Sequence, residues 1–299
     1  MLIMLTKKDR RIFRSHDLGI ISNPNHHCNF RDVGDKVALC AIARNENNYI
    51  KEWVEHYRNI GFDHICIFDN NDANGERITD VTDGFGDFVT VDTRYRGKTD
   101  RMHQTEAYTA FYNNNKHKYA WIAFFDIDEF LMLEAYDNIK DFLKQEKFKN
   151  ADGVRVCWKI YTDSGIITVT DGNYSRDRFT EFTEFNSKQC KTIVRGGLSY
   201  VNSIGVHGTK LLRNPVNTRG ERCSNGNGMG LEMIGNEKCW DGAWLNHYRF
   251  RTIQEFIDLK MRNWHQKKIK SKWITFDAFF RVNEKTPEKL EYIRKHTKM

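Results

Sequence analysis

Apolar residues in the first half of the chain alternate between short continuous runs and helical spacing. Val37–Ala43 is a continuous apolar run, which predicts a strand buried on both faces. Apolar residues at helical spacing follow, up to Gly61, a residue type that often ends helices. A second apolar run, His64–Phe68, comes next. Strand, helix and strand within about thirty residues predict a βαβ unit.

The same alternation continues through the middle of the chain. Strands are predicted at Phe88–Asp92 and Tyr119–Phe125, and helices from Asp100, which can cap one, and over Asn138–Phe148. Alternating strands and helices indicate a mostly parallel sheet, so the expected fold class is α/β.

The second half is mixed and is predicted to form the far side of a cleft. Arg219–Asp241 is rich in Gly and Asn, and Thr252–Trp264 has the pattern of an amphipathic helix. Strands are expected at Gly153–Trp158, Lys191–Arg195 and His207–Leu212. The predicted division is an irregular N-terminal extension (1–35), a central domain (36–265) and a basic helical tail (266–299).

Composition indicates a folded protein with a mild positive charge. The 299 residues are 39% hydrophobic and 13% aromatic, enough for a sizeable core. The net charge of +7 suits an anionic ligand, an anionic membrane surface or nucleic acid, and does not choose among them.

The cysteines and the hydropathy pattern indicate the cellular compartment in which the protein is expected. The seven cysteines are odd in number and include no Cys-x-x-Cys pair, which favours a reducing compartment. We find no signal-peptide pattern and no apolar run of the ~18 residues that a spanning helix needs. A cytoplasmic protein is therefore expected. The basic segment 251–273 could lie on the inner face of a membrane, with a solvated helix face as the alternative.

Two aspartates follow the most apolar predicted strand. Asp126 and Asp128 come directly after Trp121–Phe125, at the carboxyl end of a strand, where open α/β sheets bind ligands. Alternate side chains of extended backbone share a face, so both carboxylates point the same way and Ile127 points to the core. They repel each other unless a cation lies between them, and oxygen ligands favour Mg²⁺ or Mn²⁺. Such a cation would stabilise a leaving diphosphate. The alternative is a solvated acidic turn, which the adjoining buried strand disfavours.

Motifs spread over residues 36–265 resemble a known family. They are Ala41–Glu46, Trp53–Tyr57, Gly61–His64, Phe125–Leu131, Trp158–Arg178, Lys191–Arg195, Val206-His207 and Asn246–Tyr248. In this order and spacing they resemble glycosyltransferase family 92 and the related family 2 enzymes. The resemblance implies a GT-A fold, which is a Rossmann-like sheet with the nucleotide at its strand ends. It also implies metal-dependent transfer of a hexose, galactose-like, from a UDP-sugar to a hydroxyl of a glycan or lipid-linked acceptor.

The resemblance also implies where the donor binds. The loop after the first strand and the end of the second strand would contact the base and ribose, and the residues concerned are Ala43, Arg44, Asn45, Glu46 and Asp69. Two alternatives are local: Asn45 could cap the following helix, and Asp69 could belong to a turn.

A basic cluster precedes the next predicted helix. Arg96, Lys98 and Arg101 could donate charge-assisted hydrogen bonds to the diphosphate, with a solvated loop as the alternative. Gln104 would face the same cleft if the helix begins at Asp100. Asp126 and Ile127 complete the expected donor-binding set.

A histidine is expected as a further metal ligand. GT-A enzymes often add a C-terminal His to the metal, and an imidazole suits Mn²⁺ beside carboxylates. His247 is favoured over His207 because it lies in the apolar stretch Trp244–Tyr248, where an idle histidine would be costly.

The reaction needs a base if it inverts the sugar configuration, as the related families do. One of three carboxylates in the variable half is expected to take the proton from the acceptor, in a direct displacement with an oxocarbenium-like transition state. The candidates are Asp163, Glu232 and Asp241.

Two other functions remain open from the sequence. A metal-dependent phosphodiesterase or nucleotidyltransferase would also use paired carboxylates and a basic cleft, but it would need further acidic ligands. A nucleic-acid-binding module would need a continuous basic face, whereas the basic residues here are scattered. No nucleic-acid partner is therefore expected.

Overall fold

The computed structural model describes residues 34–100, 103–169, 174–184, 189–201, 203–207, 209, 212–223, 240–261 and 276–297. All of them belong to the second of two units into which the chain divides, Val33–Met299. The domain boundaries predicted from the sequence stay predictions.

The described part of the chain contains strands and helices in alternation. The strands are β1 (Val37–Ala43), β2 (His64–Asp69), β3 (Val89–Asp92), β4 (Trp121–Phe124), β5 (Glu129–Leu133), β6 (Gly153–Tyr161), β7 (Phe182–Thr183), β8 (Cys190–Arg195), β9 (Pro215–Asn217) and β10 (Ala243–His247). The helices are α1 (Asn47–Asn59), α2 (Thr79–Thr82), α3 (Gln104–Asn115), α4 (Ile139–Leu143), α5 (Ser175–Arg178), α6 (Ile253–Met261) and α7 (Pro287–Thr297). Residues 276–280 are also helical, and Asp83–Phe88 and Glu146–Phe148 form 3₁₀ turns.

These strands form one mixed sheet in the order β3-β2-β1-β4-β8-β6-β10-β5, with β7 and β9 also paired to β6. The first half is parallel: β1 lies between β2 and β4, and β3 extends beyond β2. In the second half β8 runs antiparallel to both β4 and β6, and β5 runs antiparallel to β10. The predicted α/β class with a mostly parallel sheet is confirmed.

Helix α1 packs one apolar face into the core. Ile50, Trp53, Val54 and Tyr57 follow the i, i+3, i+4, i+7 pattern, and each is 0% exposed. The helix ends at Asn59, and Gly61 then adopts a φ of +86°. This left-handed conformation, which glycine adopts without strain, confirms the predicted stop.

Several predicted element bounds are wrong. Helix α3 begins at Gln104 with His103 as its N-cap, not at Asp100. The helix predicted over Asn138–Phe148 ends at Leu143, although Asn138 does cap it by accepting a hydrogen bond from the Lys140 amide at 2.8 Å. Residues 207, 209 and 212, the described part of the predicted strand His207–Leu212, are not in a strand. Strands β5, β7, β9 and β10 were not predicted.

Helix α6 packs apolar side chains inside the fold. Phe256 packs against Phe250, Phe276 and Phe279, with ring centroids 5.0–5.9 Å apart. Ile253, Phe256 and Ile257 at the beginning of the segment 251–273 are thus buried in the fold, and its residues 262–273 lie outside the described part. No helix among the described residues has the length and apolarity to cross a bilayer.

The five described cysteines, Cys40, Cys66, Cys157, Cys190 and Cys223, are buried free thiols. Buried thiols of this kind pack as small hydrophobic side chains. Cys28 and Cys239 lie outside the described residues.

Candidate active site

The carboxyl ends of the parallel strands bring the predicted donor loops together. The last residues of β1 and β2, Ala43 and Asp69, are register partners. Strand β4 runs parallel on the other side of β1, and Asp126 lies two positions after its end at Phe124. The three loops that leave these strands therefore share one edge of the sheet, where α/β folds bind ligands.

Strands β5 and β10 add a second set of side chains to this edge. Glu129 begins β5, His247 ends β10, and the two are register partners in the antiparallel pair. The Tyr248 amide donates a hydrogen bond to the Asp128 carbonyl at 2.9 Å, which extends the pairing by one residue. Backbone pairing alone therefore places His247 beside the acidic loop.

Asp128, Glu129 and His247 form a potential metal-binding group, here called the acid–histidine cluster. One ligand atom from each side chain lies within 4.8 Å of the others. His247 Nε2 lies 3.5 Å from Asp128 Oδ1. The Asp128 side chain is 14% exposed and that of His247 is 5% exposed, so the cluster is largely shielded from solvent.

Glu129 is the most buried member of this cluster. Its side chain is 0% exposed, and its Oε2 accepts a hydrogen bond from the Asp126 amide at 2.9 Å. Among the described residues, no hydrogen-bond donor pairs with its Oε1. Burial raises the pKa of Glu129 well above its usual value, and the charges of Asp126 and Asp128 raise it further, against the effect of Lys191. A cation at this point would relieve both the burial cost and the repulsion.

Asp126 points into a different set of partners. Its Oδ2 lies 2.7 Å from the ammonium of Lys191, and its Oδ1 accepts hydrogen bonds from Gln104 Nε2 and from the Tyr108 hydroxyl. Lys191 is 0% exposed, and its Nζ also lies 3.8 Å from Glu129 Oε1. Burial alone would lower the pKa of Lys191, but the charges of Asp126 and Glu129 outweigh it and raise that pKa.

Helix α1 fixes the backbone of the acidic loop. Trp53 Nε1 donates to the carbonyls of Asp126 and Glu129, both at 3.0 Å. The Tyr57 hydroxyl donates to the Glu129 carbonyl at 2.8 Å and accepts from the Leu131 amide at 3.1 Å. These bonds use backbone groups on the outer edge of β5, so the two aromatic side chains replace a neighbouring strand.

The two predicted histidines both contact the indole ring of Trp158. The ring centroid of Trp158 is 4.4 Å from that of His247 and 5.2 Å from that of His207. Burial and the nearby Lys191 lower the pKa of His207 to about 4. Of the two histidines, the described ligand group contains His247 and not His207.

Hydrogen bonds through Asn71 connect the donor-binding residues predicted on the first two loops. Asn45 adopts a φ of +58°, and its amide donates to Asn71 Oδ1 at 2.7 Å. Asp69 is buried, and it accepts from the Asn71 amide at 2.8 Å and from the Arg96 guanidinium at 2.8 Å. Asn45 does not cap α1 with its side chain, because Glu46 holds the cap position. Its hydrogen bond to Asn71 helps to hold the loop in this conformation, and contact of Asn45 with a donor stays a prediction.

Arg96 makes more hydrogen bonds within the protein than the sequence predicted. Besides Asp69 it donates to the carbonyls of Ala73, Gly75 and Glu76 at 2.7–3.3 Å. These contacts favour a role in bracing the loop after β2 over the predicted direct contact with a diphosphate. The arginine side chain suits this role because its planar fork can serve several acceptors at once.

The other predicted donor residues are distributed around the same edge. Arg44 pairs with Asp72 at 3.1 Å, and Lys98 is exposed. The Glu46 carboxylate lies 4.0 Å from the Arg251 guanidinium. Ile127 is 0% exposed in the core, so only its backbone can meet a donor. Arg101 lies outside the described residues.

Two of the predicted bases have contacts that favour other roles. Asp163 is 2% exposed and its Oδ2 lies 2.6 Å from Lys289 Nζ, which is the arrangement of a buried structural ion pair. Asp241 is exposed, pairs with Arg219 at 3.0 Å, and lies before β10. The four steps from Ala243 to His247 alone span about 13 Å, so Asp241 lies at the wrong end of the strand. Glu232 lies outside the described residues.

The sequence interpretation missed the role of Lys191. A signal was present, because a lysine at an inward position of the apolar strand Cys190–Arg195 requires an anionic partner. The alternation of β8 places Lys191 and Ile193 on one face, and Ile193 is 0% exposed. The identity of that partner could not be inferred, since it depends on the pairing of β8 with β4.

Comparison with known proteins gives the family. The profile of Glycosyltransferase family 92 matches residues 36–276. A glycosyltransferase family 92 protein of Oryza sativa subsp. japonica is 25% identical over 127 residues, covering 42% of this chain and 21% of that protein. Another from Ricinus communis is 24% identical over 137 residues, covering 44% and 24%. The chain thus matches less than a quarter of the length of either relative.

Solved structures were compared as well. The crystal structure of S. aureus TarS 1–349 superposes with a TM-score of 0.36 and 14% identity, covering 54% of this chain and 47% of that one. The same fragment in complex with UDP gives a TM-score of 0.34 and 11% identity, covering 54% and 46%. The family profile covers most of the chain, in agreement with the resemblance found in the sequence motifs. This protein belongs to glycosyltransferase family 92.

Proposed function

We propose that the protein is a metal-dependent glycosyltransferase that moves a sugar from a UDP-sugar to a hydroxyl group of a glycan or lipid-linked acceptor. The observation that carries the proposal is the acid–histidine cluster, which lies at the carboxyl edge of the sheet in a chain of family 92. Strand ends of this kind are where nucleotides bind in Rossmann-like sheets.

The chemistry of the cluster fits a divalent cation. Asp128 and Glu129 offer carboxylate oxygens, and His247 offers an imidazole nitrogen, a mixed set that suits Mn²⁺ and to a lesser degree Mg²⁺. Within the part of the chain that is described, Glu129 Oε1 and His247 Nδ1 are buried atoms without hydrogen-bond partners. Buried polar atoms in a native fold are normally paired, so these two are candidates for contact with a bound ligand. When bound, such a cation supplies Lewis-acid stabilisation of the leaving diphosphate.

The loops after β1 and β2 are suited to the nucleotide part of the donor. Hydrogen bonds between Asn45 and Asn71, and from Arg96 to Asp69, hold these loops in one conformation before any ligand binds. A preorganised loop loses less conformational entropy on binding than a mobile one. Arg44 and Lys98 add positive charge at the rim, where charge-assisted hydrogen bonds to phosphate would form.

Direct displacement with inversion is the reaction that we propose, in line with the family resemblance. The base that would take the acceptor proton is not assigned, because the contacts of Asp163 and Asp241 favour other roles. The identity of the transferred sugar, expected to be a hexose, is likewise part of the proposal.

A thermal-shift experiment tests the nucleotide and metal site. In the presence of Mn²⁺, UDP at a hundred times its Kd should stabilise the wild type by about 2.7 kcal/mol, which raises the Tm by about 5 °C or more. Asp128→Asn should remove this shift. The matched control is Asp241→Asn, which removes an exposed carboxylate at the other end of β10 and should keep the shift. An Asp128→Asn variant that shifts as the wild type does would contradict the proposed site.

A product assay separates transfer from the other reactions. We expect a panel of UDP-sugars, offered with saccharide acceptors and Mn²⁺, to yield UDP together with a new glycosidic linkage detectable by mass spectrometry. Release of UMP, or a nucleotide attached to the acceptor, would identify phosphodiester or nucleotidyl chemistry and overturn the proposal.

A further inference from the structure

Three aromatic rings lie close to the ammonium of Lys159 at the surface of the protein. Its Nζ lies 4.1 Å from the ring centroid of Trp244, 4.6 Å from that of Phe182 and 4.9 Å from that of Trp240. These four side chains are here called the Lys159 surface. Phe182 is 47% exposed, and Val169 is the other large apolar side chain that is exposed among the described residues. A single exposed apolar side chain is ordinary, whereas grouped aromatic side chains at a surface mark a binding site.

Strand pairing brings these side chains together. Lys159 on β6 is the register partner of Asn246 on β10, and Trp244 lies two positions before Asn246. Tyr161, two positions after Lys159, is the register partner of Phe182 on β7. Register partners and side chains two positions apart on a strand share one face of a sheet. The backbone pairing of three strands therefore fixes the positions of these side chains.

The hydrogen-bond donors of the Lys159 surface differ in whether they are occupied. Trp240 Nε1 donates to the Trp158 carbonyl at 2.9 Å, and Trp244 Nε1 donates to Asn246 Oδ1 at 2.8 Å. Both indoles are thus held by bonds within the protein. The Lys159 ammonium makes no hydrogen bond and no ion pair with the described residues. Its three N–H donors are available to a ligand oxygen in the middle of an otherwise apolar surface.

The Lys159 surface adjoins the acid–histidine cluster. Strands β6 and β10 run parallel and end at the same edge of the sheet, at Tyr161 and His247. The Tyr161 ring lies 4.9 Å from that of Tyr248, whose amide donates to the Asp128 carbonyl. Asn246 and His247 are neighbours on β10, so they point to opposite faces of the sheet. A ligand on the Lys159 surface would reach the cluster by passing around the strand ends, which requires an extended molecule.

We propose that the Lys159 surface binds a saccharide and is the subsite for the distal units of an extended glycan acceptor. A pyranose ring presents a face of C–H groups, which packs on the negative face of an aromatic ring. Its hydroxyl oxygens accept hydrogen bonds from an ammonium. The role as an acceptor subsite rests on the proposed function, whereas saccharide binding concerns this surface alone.

The ammonium favours a saccharide over an apolar partner. An apolar side chain of another protein, or the hydrocarbon of a membrane, would cover the three rings and leave the donors of Lys159 buried without acceptors. Burying a charge in this way costs free energy. A molecule with both C–H faces and hydroxyl groups matches the rings and the ammonium together.

Saturation-transfer NMR of the full chain, without UDP or metal, tests the proposal. The probes are maltotetraose, cellotetraose, β1,4-galactotetraose and chitotetraose, each titrated separately. At least one should bind, and the ring C–H protons on one face of its sugar units should receive the most saturation. Phe182→Leu, which removes the ring and keeps an apolar side chain, should weaken binding about fivefold. Lys159→Met, which keeps the length of the side chain and removes the donors, should weaken it about tenfold.

The matched control is Phe88→Leu. Phe88 is also a partly exposed ring beside a cation, with the Arg58 guanidinium 4.7 Å from its centroid. It lies just before β3, at the opposite edge of the sheet, so this variant should bind the probes as the wild type does. Binding of none of the probes, or unchanged affinity in Phe182→Leu or in Lys159→Met, would overturn the proposal.

Sedimentation velocity tests a different occupant, a second copy of this chain. The wild type and Phe182→Leu should have the same sedimentation coefficient. A wild-type oligomer that Phe182→Leu dissociates would show that the surface is an interface between copies, and the proposal would be wrong.

Thermal shift with UDP and Mn²⁺ keeps the two proposals apart. Saccharide binding without a UDP shift would support the Lys159 surface and contradict the proposed transfer from a UDP-sugar. A UDP shift without saccharide binding would do the reverse. In the product assay, Phe182→Leu should raise the KM for a tetrasaccharide acceptor more than the KM for a monosaccharide acceptor. Equal changes in the two values would contradict the role as a distal acceptor subsite.

Discussion

The hydroxyl of Tyr57 makes two hydrogen bonds to the backbone of β5, the strand that follows the acidic loop. It donates to the Glu129 carbonyl at 2.8 Å and accepts from the Leu131 amide at 3.1 Å, in a region where Tyr57 and Leu131 are both 0% exposed. Tyr57→Phe removes both hydrogen bonds and leaves the ring packing intact. The Glu129 carbonyl keeps its bond from Trp53 at 3.0 Å, so the main loss is at Leu131.

The expected change in the free energy of unfolding follows from the unpaired Leu131 amide. A buried amide left without a partner costs about 1–3 kcal/mol, so we expect Tyr57→Phe to lower the free energy of unfolding by about 2 kcal/mol. For a domain of this size that corresponds to a fall in Tm of about 4–8 °C. Urea unfolding followed by circular dichroism measures the change. Hydrogen exchange of the Leu131 amide, which should become faster, reports on the site itself.

A matched control distinguishes this effect from the general cost of losing a tyrosine hydroxyl. Tyr292 stacks on His296 with a centroid distance of 3.9 Å, a contact that phenylalanine keeps. Tyr292→Phe should change stability by less than about 0.5 kcal/mol. A loss below about 0.5 kcal/mol for Tyr57→Phe, or unchanged exchange at Leu131, would refute the reasoning.

Two further substitutions test the packing around the site. Glu255→Gln should cost about 3 kcal/mol at pH 7, because it leaves the Arg178 guanidinium, 2.7 Å away and 4% exposed, without its counter-charge. Burial alone would raise the pKa of Glu255, but its bonds with Arg178 outweigh this and lower the pKa below 4.5. The stabilisation is therefore present above pH 4.5 and lost as the pH falls through the lowered value, so urea unfolding should show a smaller difference between variant and wild type at pH 3. Gly196→Ala should cost about 3 kcal/mol, because a Cβ would collide with the Tyr119 carbonyl oxygen. Gly84→Ala, where the space is open, should change the unfolding midpoint little, and equal effects of the two alanines would contradict the packing described.

The parallel half of the sheet could be predicted because its strands carry a local signal. Strand β1 is a continuous apolar run, and the spacing of Ile50, Trp53, Val54 and Tyr57 specifies one face of α1. Those features depend on neighbours in the sequence, and the structure bears them out.

The strands that were not predicted form by pairing with strands far away in the sequence. Strand β5 begins with the carboxylate of Glu129, and it is a strand because it pairs with β10, far along the chain. Strand β9 has only three residues and lies next to β6. Neither has a hydrophobic period long enough to detect.

The candidate site was predictable in its residue types and less so in its arrangement. Asp128 and His247 were both expected beside a cation, and the structure brings them to 3.5 Å. The sequence also placed Asp126 with that cation, whereas its oxygens face Lys191, Gln104 and Tyr108. Which side chain pairs with a given carboxylate depends on the order of β4, β8 and β6 in the sheet. No local sequence pattern indicates that order.

The most direct test of the account is to locate the cation. Crystals grown with UDP and Mn²⁺, with diffraction data collected at the manganese absorption edge, should give a single anomalous peak within bonding distance of Asp128 and His247, next to the diphosphate. No peak at that position, or a manganese ion bound elsewhere while UDP occupies the strand ends, would contradict the central claim.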